Sequence, residues 1–406
     1  MKIGFLFNHD ALHQVRHSAP IIGALVPDAR AEVTVLTSSA AQEAEVRAII
    51  GPQAASAVRF ERLSIGRTAR LLDAGLRWIA PFRRIAVLRE NLYAFARLDV
   101  LVVPETTSLM LRDRFGLTSL KLVWIPHGAG DRSIGFRPET RQFDLVLLSG
   151  DKVRDRMLAE GLVTQDNHAV IGYPKFDTVA LEAPERSTPS GLFADVRPTV
   201  LYNPHFDPLL SSWYDWGRDI IRWFAEDGRY NLIVAPHVML YQRWMHASVE
   251  HRRMRLPGAL PDYGGAPNIL IDPGSERSID MSYTQAADLY LGDASSQIYE
   301  WIAQPRPAIF LNPQGIAWQA DPNFAHWQLG DVVSRLEALP EALERAFAEP
   351  DRYRKEQAAR FSHTFSRTGE SAAKRGAKAI LDRFSNITAA KKYRDAVAHD
   401  VEKGGN

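Results

Sequence analysis

Asp288-Leu-Tyr-Leu-Gly-Asp293-Ala-Ser295-Ser296-Gln297-Ile-Tyr-Glu300 reads as a strand, a tight turn and a helix opening at two serines. Its apolar residues follow one another without alternating, the pattern of a parallel strand covered on both faces. Working outward, the same short apolar runs recur at 3–7, 33–36, 100–103, 120–125, 144–148 and 169–171, and again at 199–202, 232–235, 269–271 and 308–311. Strand-length runs separated by helix-length stretches predict an α/β chain with parallel sheets. The rhythm stops over 181–197, which carries Pro184, Pro189 and Gly191. The expected organisation is two doubly wound Rossmann-like domains facing across a cleft: an N-terminal domain over 1–180, a linker over 181–197 and a second domain over 198–345. Three- and four-residue spacing of apolar residues predicts helices over 336–349, 351–362 and 370–384. A helical segment over 346–406 is therefore expected to cross back, ending in a charged stretch from 391 that frays.

The 406 residues, 46% apolar and 24% charged, suit a folded globular chain. Cysteine is absent, which excludes disulfides, thiolate catalysis and cysteine-ligated metal centres. A formal charge of +1 gives no general attraction to nucleic acid, so no nucleic-acid partner is expected. The N-terminal apolar run is too short for a signal peptide, and no apolar stretch reaches the roughly 18 residues of a spanning helix. Charge is nevertheless uneven. Between Arg59 and Arg97 nine arginines face three acids, Glu61, Asp73 and Glu90, among Leu71, Leu72, Leu76, Trp78, Ile79 and Phe82. Arg70, Arg77, Arg83 and Arg84 are the candidates for an anionic lipid surface or a phosphate-bearing partner; the other reading is a solvated helical face.

Ligands in such folds sit beyond the carboxyl ends of the strands, so residues just after the apolar runs carry most weight. His127, in Trp124-Ile-Pro-His-Gly-Ala-Gly-Asp131-Arg132, follows a strand and precedes glycines that admit a ligand to the backbone, the place for a general base. Asn231-Leu-Ile-Val-Ala-Pro-His237 repeats that arrangement in the second half, and His205 follows Tyr202-Asn-Pro. Ser295 and Ser296 could seat a phosphate at a helix start, or simply cap it. Lys175, in Gly172-Tyr-Pro-Lys-Phe-Asp177, could neutralise phosphate or merely pack a crossover, and Ser275 lies in a polar loop fit for a ribose or base. His9, His13 and His17 recur every four residues without a zincin glutamate, no P-loop or Gly-x-Ser-x-Gly is present, and no metal site or metal cofactor is expected.

Taken in order, His127-Gly128, Gly172-Tyr-Pro-Lys-x-Asp177, the Pro-His237 strand end and Asp293-Ala-Ser-Ser296 resemble the CDP-glycerol glycerophosphotransferase family of teichoic-acid-type enzymes, over roughly residues 120–312. The resemblance implies a GT-B fold and a CDP-activated polyol as co-substrate. It also implies a lipid-linked or glycan acceptor and work at the inner, cytoplasmic face of the cell membrane. His127 and His237 would then be catalytic, with His127 as general base, and Asp293, Ser295 and Ser296 would belong to the phosphate-contacting element. Ala235, Val238 and Asn203-Pro-His205-Phe-Asp207 stand where the family usually carries other residues. Two further enzyme classes fit the same layout: a GT-B glycosyltransferase with a nucleotide-sugar donor, and a non-hydrolysing nucleotide-sugar 2-epimerase, for which Glu105 is the available first-domain acid. A catalytically inactive scaffold of a polysaccharide assembly would need no histidine pair.

Overall fold

The computed structural model describes residues 1–9, 12–76, 82–126, 128–181, 191–248, 252–263 and 265–387. The chain divides into two compact units. One comprises 1–128, 136–178 and the chain from 364 onward; the other comprises 129–135 and 179–363.

The first unit is built on β1 (Lys2–Phe7), β2 (Glu32–Thr37), β3 (Arg59–Arg62), β4 (Val100–Val103), β5 (Lys121–Trp124), β6 (Leu145–Leu148) and β7 (His168–Val170), a parallel sheet in the order β3-β2-β1-β4-β5-β6-β7. Side chains alternate across it. Phe5, Val35, Val102, Val123 and Leu147 bury one face against Ile21, Ile22, Ile380 and Leu381, while Leu6, Leu36, Leu101, Leu122 and Val146 bury the other against Val87, Leu88 and Phe95. Both faces are dry, which is why the strands read as unbroken apolar runs. Each fully buried aliphatic side chain contributes about 1.5–3 kcal/mol.

The helix Ala372–Arg383 belongs to this first unit, so the chain does return to it. Gly172-Tyr-Pro-Lys-Phe-Asp177 is the dock. The Asp177 carboxylate accepts from the N–H groups of Ala372 and Ala373, at 3.2 and 2.7 Å, at the first turn of that helix. Tyr173 and Phe176 pack on Phe365 with ring centroids 4.9 and 4.8 Å apart. Gly172 has φ of 90°, and a Cβ there would strike the Ser366 carbonyl oxygen at 2.6 Å, so both backbone conformation and space demand glycine. Lys175, expected at a donor phosphate, is 5% exposed within this packed motif. His17 packs on Tyr173 at 5.1 Å, and the 12–17 segment is a 3-10 helix rather than a four-spaced ligand face.

The second unit carries β8 (Thr199–Asn203), β9 (Asn231–Val234), β10 (His246–Ser248), β11 (Arg253–Arg255), β12 (Ile269–Ile271), β13 (Leu289–Gly292), β14 (Ala308–Leu311) and β15 (Asp331–Val333). Six of these form a parallel sheet in the order β12-β9-β8-β13-β14-β15; β10 and β11 form a separate antiparallel ribbon. The core of this unit gathers Tyr202, Trp213, Ile220, Ile221, Phe224, Leu232, Leu291, Ile309 and Leu343. The helical segment expected from 346 is shared: 346–363 stays with the second unit and 364 onward joins the first. No helix among the described residues is long and apolar enough to cross a membrane.

Candidate functional site

The strand order of the second unit reverses between β8 and β13, so the loops leaving these two strands diverge and open a crevice at their carboxyl ends. Asp293 stands at that point, one residue beyond the Gly292–Asn203 pair of the ladder. Its carboxylate is fully buried and accepts four hydrogen bonds: from the N–H of His205 at 2.9 Å, the N–H of Ala294 at 2.7 Å, and the N–H and hydroxyl of Ser212 at 2.7 and 2.9 Å. Burial pushes its pKa up to about 6 against the pull of those donors. Asp293, expected among the phosphate-contacting residues, thus has its oxygens turned inward, where it ties the β13 loop to the β8 loop. The third loop is stitched on by Asn203, whose side-chain amide donates to the Ala235 carbonyl at 2.6 Å, and by His237, whose N–H donates to the Pro204 carbonyl at 2.9 Å.

These links bring His205 and His237 together, with ring centroids 5.3 Å apart. Phe206 lies 4.8 Å from the His237 ring and 5.7 Å from His246. His237 is half-buried, and its Nδ1 accepts from the Met239 N–H at 3.2 Å. His205 is 5% exposed; burial, then the charges of Arg132 and His237, hold its pKa well below the ordinary imidazole value. Its Nδ1 accepts from the Asp207 N–H at 3.0 Å, while Arg132 Nη1 lies 2.9 Å from its Nε2. A neutral imidazole offers one lone pair, so these two donors compete for it.

Arg132 reaches the site because the 129–135 segment is anchored on the second unit. Asp131 accepts from the Tyr299 hydroxyl, and from the N–H and Nδ1 of His326 at 3.1 and 3.2 Å. The His326 Nε2 lies 3.2 Å from the Asp293 carbonyl oxygen, and Trp327 Nε1 donates to the same oxygen at 2.9 Å. Both His326 nitrogens face oxygen acceptors; a neutral ring can serve one of them, an imidazolium both. Burial and the Asp131 charge raise the Tyr299 pKa well above its usual value. A Cβ on Gly130 would stand 3.2 Å from Ser296 Cβ, which explains how that loop comes to lie against the helix start.

Compared with solved structures, the chain has a TM-score of 0.60 to a UDP-GlcNAc 2-epimerase from Neisseria meningitidis bound to UDP-GlcNAc, at 12% identity over 95% of this chain and 100% of that one. A variant of the wall teichoic acid polymerase TagF soaked with CDPG gives 0.58 at 14% identity, over 96% and 89%. A protein from Listeria monocytogenes assigned as a UDP-N-acetylglucosamine 2-epimerase gives 0.58 at 16%, over 95% and 97%. The fold is GT-B. No protein-family model and no curated protein sequence matches the chain.

Within this GT-B chain the other expected site residues fall as follows. Ser295 is buried, its Oγ accepting from the Gln297 N–H at 3.3 Å, whereas Ser296 is exposed at the start of the short helix Gln297–Trp301. The Ser275 hydroxyl is bound to Asp272, which also accepts from the N–H groups of Ser275 and Gly274 and from the Tyr283 hydroxyl. Burial works to raise the Asp272 pKa, but these bonds, led by that of the Ser275 hydroxyl, hold it below the ordinary value. His127 and Arg77 lie outside the described residues. Arg70 and Arg83 are exposed, donating to the carbonyls of Ile65 and Ser38 at 3.0 and 3.3 Å, and Arg84 is half-buried. Arg59 and Arg97 pair with Glu61 and Arg62 with Glu43, so part of the charge excess is spent on ion pairs. No group of three or more metal-ligating side chains occurs among the described residues.

Proposed function

We propose that the chain is a transferase acting on a nucleotide-activated donor, moving glycerol phosphate or a related polyol phosphate from a CDP-linked form to a hydroxyl of a lipid-linked or glycan acceptor, without a metal ion. The observation that carries the reading is the meeting of Arg132 and neutral His205 beside His237 at the strand reversal of the second unit. A guanidinium beside an imidazole can turn its planar fork of donors to a diphosphate, whose charged oxygens accept more strongly than a ring nitrogen. The order of the sequence motifs supplies the choice of a CDP-polyol.

In this reaction the acceptor oxygen attacks the β-phosphorus, the bond from that phosphorus to the bridging oxygen breaks, and CMP leaves with the bridging oxygen. His127 takes the hydroxyl proton. Arg132 and the Nε2 side of His237 meet the charge growing on CMP, and Ser296, exposed at its helix start, adds a hydroxyl. Asp293, Ser212 and the Asp131–His326–Tyr299 cluster position these groups without touching substrate. The place of work is the inner face of the cell membrane, with Arg70, Arg77, Arg83 and Arg84 toward its anionic lipids.

A second reading, the nucleotide-sugar 2-epimerase, rests on Glu105. It follows β4 at the strand reversal of the first sheet; one carboxylate oxygen accepts from the Ser108 hydroxyl and the other is buried without a hydrogen-bond partner among the described residues. Such a carboxylate could move a proton at a sugar carbon. Thermal melting with a donor panel separates the readings: CDP-glycerol and CMP should stabilise the protein while UDP, GDP and UDP-sugars do not, and stabilisation by UDP alone would remove the CDP-polyol reading. His127→Ala should abolish turnover and retain the nucleotide-induced shift.

A further inference from the structure

The segment 312–323 leaves β14 at its carboxyl end, the end at which the parallel β13 opens the Asp293 crevice. It is held on both sides of Asp293. On one side Gln314 Nε2 donates to the Ser211 carbonyl at 3.2 Å and to Asp215 Oδ2 at 3.0 Å, next to the Ser212 that donates to Asp293. On the other, Trp318 lies against Trp327, whose Nε1 donates to the Asp293 carbonyl. Asn312 closes the turn between them, its Oδ1 accepting from the Ile316 N–H at 2.8 Å and its Nδ2 donating to the Ile316 carbonyl at 3.0 Å. A segment fixed in this way presents its side chains with little ordering left to do when a ligand arrives.

Three of its groups are left with capacity to spare. Trp318 is half-buried and meets Trp327 through an edge contact, ring centroids 6.0 Å apart at 65°, so its broad faces are not used in stacking. Its indole N–H enters no hydrogen bond with a described residue. Five residues on, the N–H and Nδ2 of Asn323 both donate to Asp321 Oδ1, at 2.8 and 2.9 Å, and the Asp321 N–H donates to the Trp318 carbonyl at 3.1 Å, which draws the three residues together. Asn323 Oδ1 is a buried acceptor without a partner among the described residues, and Asp321 Oδ2 accepts from none of them. A buried amide oxygen left unsatisfied is unfavourable and calls for a donor.

The chemistry of these groups selects the ligand. Residues 312–323 contain no lysine, arginine or histidine and one acid, Asp321, so a phosphate or an anionic headgroup would meet a carboxylate and no cation. A purely apolar ligand would leave Asn323 Oδ1 unsatisfied. A neutral sugar ring meets both demands: its C–H face lies on the indole, and its hydroxyls donate to Asn323 Oδ1 and Asp321 Oδ2 and accept from the indole N–H. We propose that Trp318, Asp321 and Asn323 form a binding platform for a neutral sugar of the acceptor. The inference deepens the transferase reading and rests on it: of the two kinds of acceptor, lipid-linked or glycan, it picks the sugar as the part that the second unit holds beside the Asp293 crevice.

The test is saturation-transfer NMR of the full chain, without donor, against neutral disaccharides of glucose, N-acetylglucosamine, galactose or mannose and, separately, against glycerol 3-phosphate. At least one neutral disaccharide should receive saturation at its ring C–H protons. Trp318→Ala should weaken that binding on the order of tenfold with melting and CDP-glycerol affinity unchanged, and Trp318→Phe should keep part of it. Asn323→Ala should weaken it as well and carries the test if Trp318→Ala does not fold. Binding of none of the disaccharides, binding that both alanine variants leave intact, transfer to glycerol 3-phosphate alone, or loss of CDP-glycerol affinity in place of sugar affinity would each overturn the proposal. The two readings fail separately: a failed platform leaves CDP-glycerol binding in place, whereas a failed transferase reading shows as absent CDP-glycerol binding.

Discussion

Replacing Asp293 tests the anchor of the site, and the structure gives the size of the effect. Alanine removes the acceptor of three backbone N–H groups, those of His205, Ser212 and Ala294, in a fully buried place. At about 1–3 kcal/mol for each stranded donor, part of it recovered by relaxation, Asp293→Ala should cost on the order of 4–6 kcal/mol. Asparagine behaves differently. With its oxygen toward His205 and Ala294, its NH2 faces the Ser212 hydroxyl, which can accept, and the Ser212 N–H, which cannot, a loss of about 1–3 kcal/mol. Against that, the wild-type carboxyl has a pKa raised from 3.8 to about 6 by burial. A raised carboxyl pKa means that the folded state holds the proton more tightly than the unfolded state. This group's contribution is therefore most favourable below pH 4 and falls as pH rises through 6, by about 3 kcal/mol at 1.36 kcal/mol per unit. Asp293→Asn lacks the term, so it should lie within about 2 kcal/mol of wild type at pH 7 and fall behind as pH drops toward 4. Urea unfolding of the three proteins at pH 4, 5, 6 and 7 reads this directly, because the wild-type-minus-Asn difference cancels the titration of every other group. A difference that does not change with pH, or an alanine variant within 1 kcal/mol of wild type, would refute the reasoning.

Arg132→Ala should raise the His205 pKa toward the ordinary imidazole value, since the guanidinium charge is one of the causes that depress it. The His205 Cε1 proton, followed by NMR, should stay flat between pH 6 and 8 in the wild type; an unchanged curve in the variant would show that the contact is not made. Because the depressed pKa leaves the unfolded state binding more protons below pH 6.5, His205 removes stability as pH falls, opposite in sign to Asp293. Gly150→Ala should destabilise by about 1–3 kcal/mol or more, because a Cβ there would meet the Thr364 carbonyl oxygen at 2.3 Å where the chain re-enters the first unit. Melting within 1 °C of wild type would contradict that packing.

The parallel strands were legible because both sheet faces are dry: the runs at 100–103, 269–271 and 308–311 coincide with β4, β12 and β14. What escaped lay at edges. Arg59–Arg62 is an edge strand whose side chains are half-buried or exposed, and Asp331–Val333 is an edge strand beginning with an ion-paired aspartate, so neither shows an apolar run. The 246–255 ribbon has strands of three residues, too short for periodicity to register. At the site, His205, His237 and Asp293 are legible because each lies within three residues of the carboxyl end of a strand. Asp131 and Arg132 stand as a charged pair after Gly128-Ala-Gly130, but their partners Tyr299, His326 and His205 are distant in sequence, so the stretch itself does not disclose their role. His326 gave no local signal: it lies in a helical turn, and only tertiary packing sets it beside Asp131. Gly172-Tyr-Pro-Lys-Phe-Asp177 could be found but not understood from sequence, since its partner lies near 365–375, far along the chain.

Calorimetric titration of CDP-glycerol into the wild type and Arg132→Ala tests the central claim most directly. The account predicts one saturable site in the wild type, displaced by CMP, with affinity about ten- to a hundredfold lower in the variant, as expected for losing a charge-assisted contact of about 1.5–3 kcal/mol. Binding that Arg132→Ala leaves untouched, or binding of UDP-sugars in place of CDP-glycerol, would contradict it.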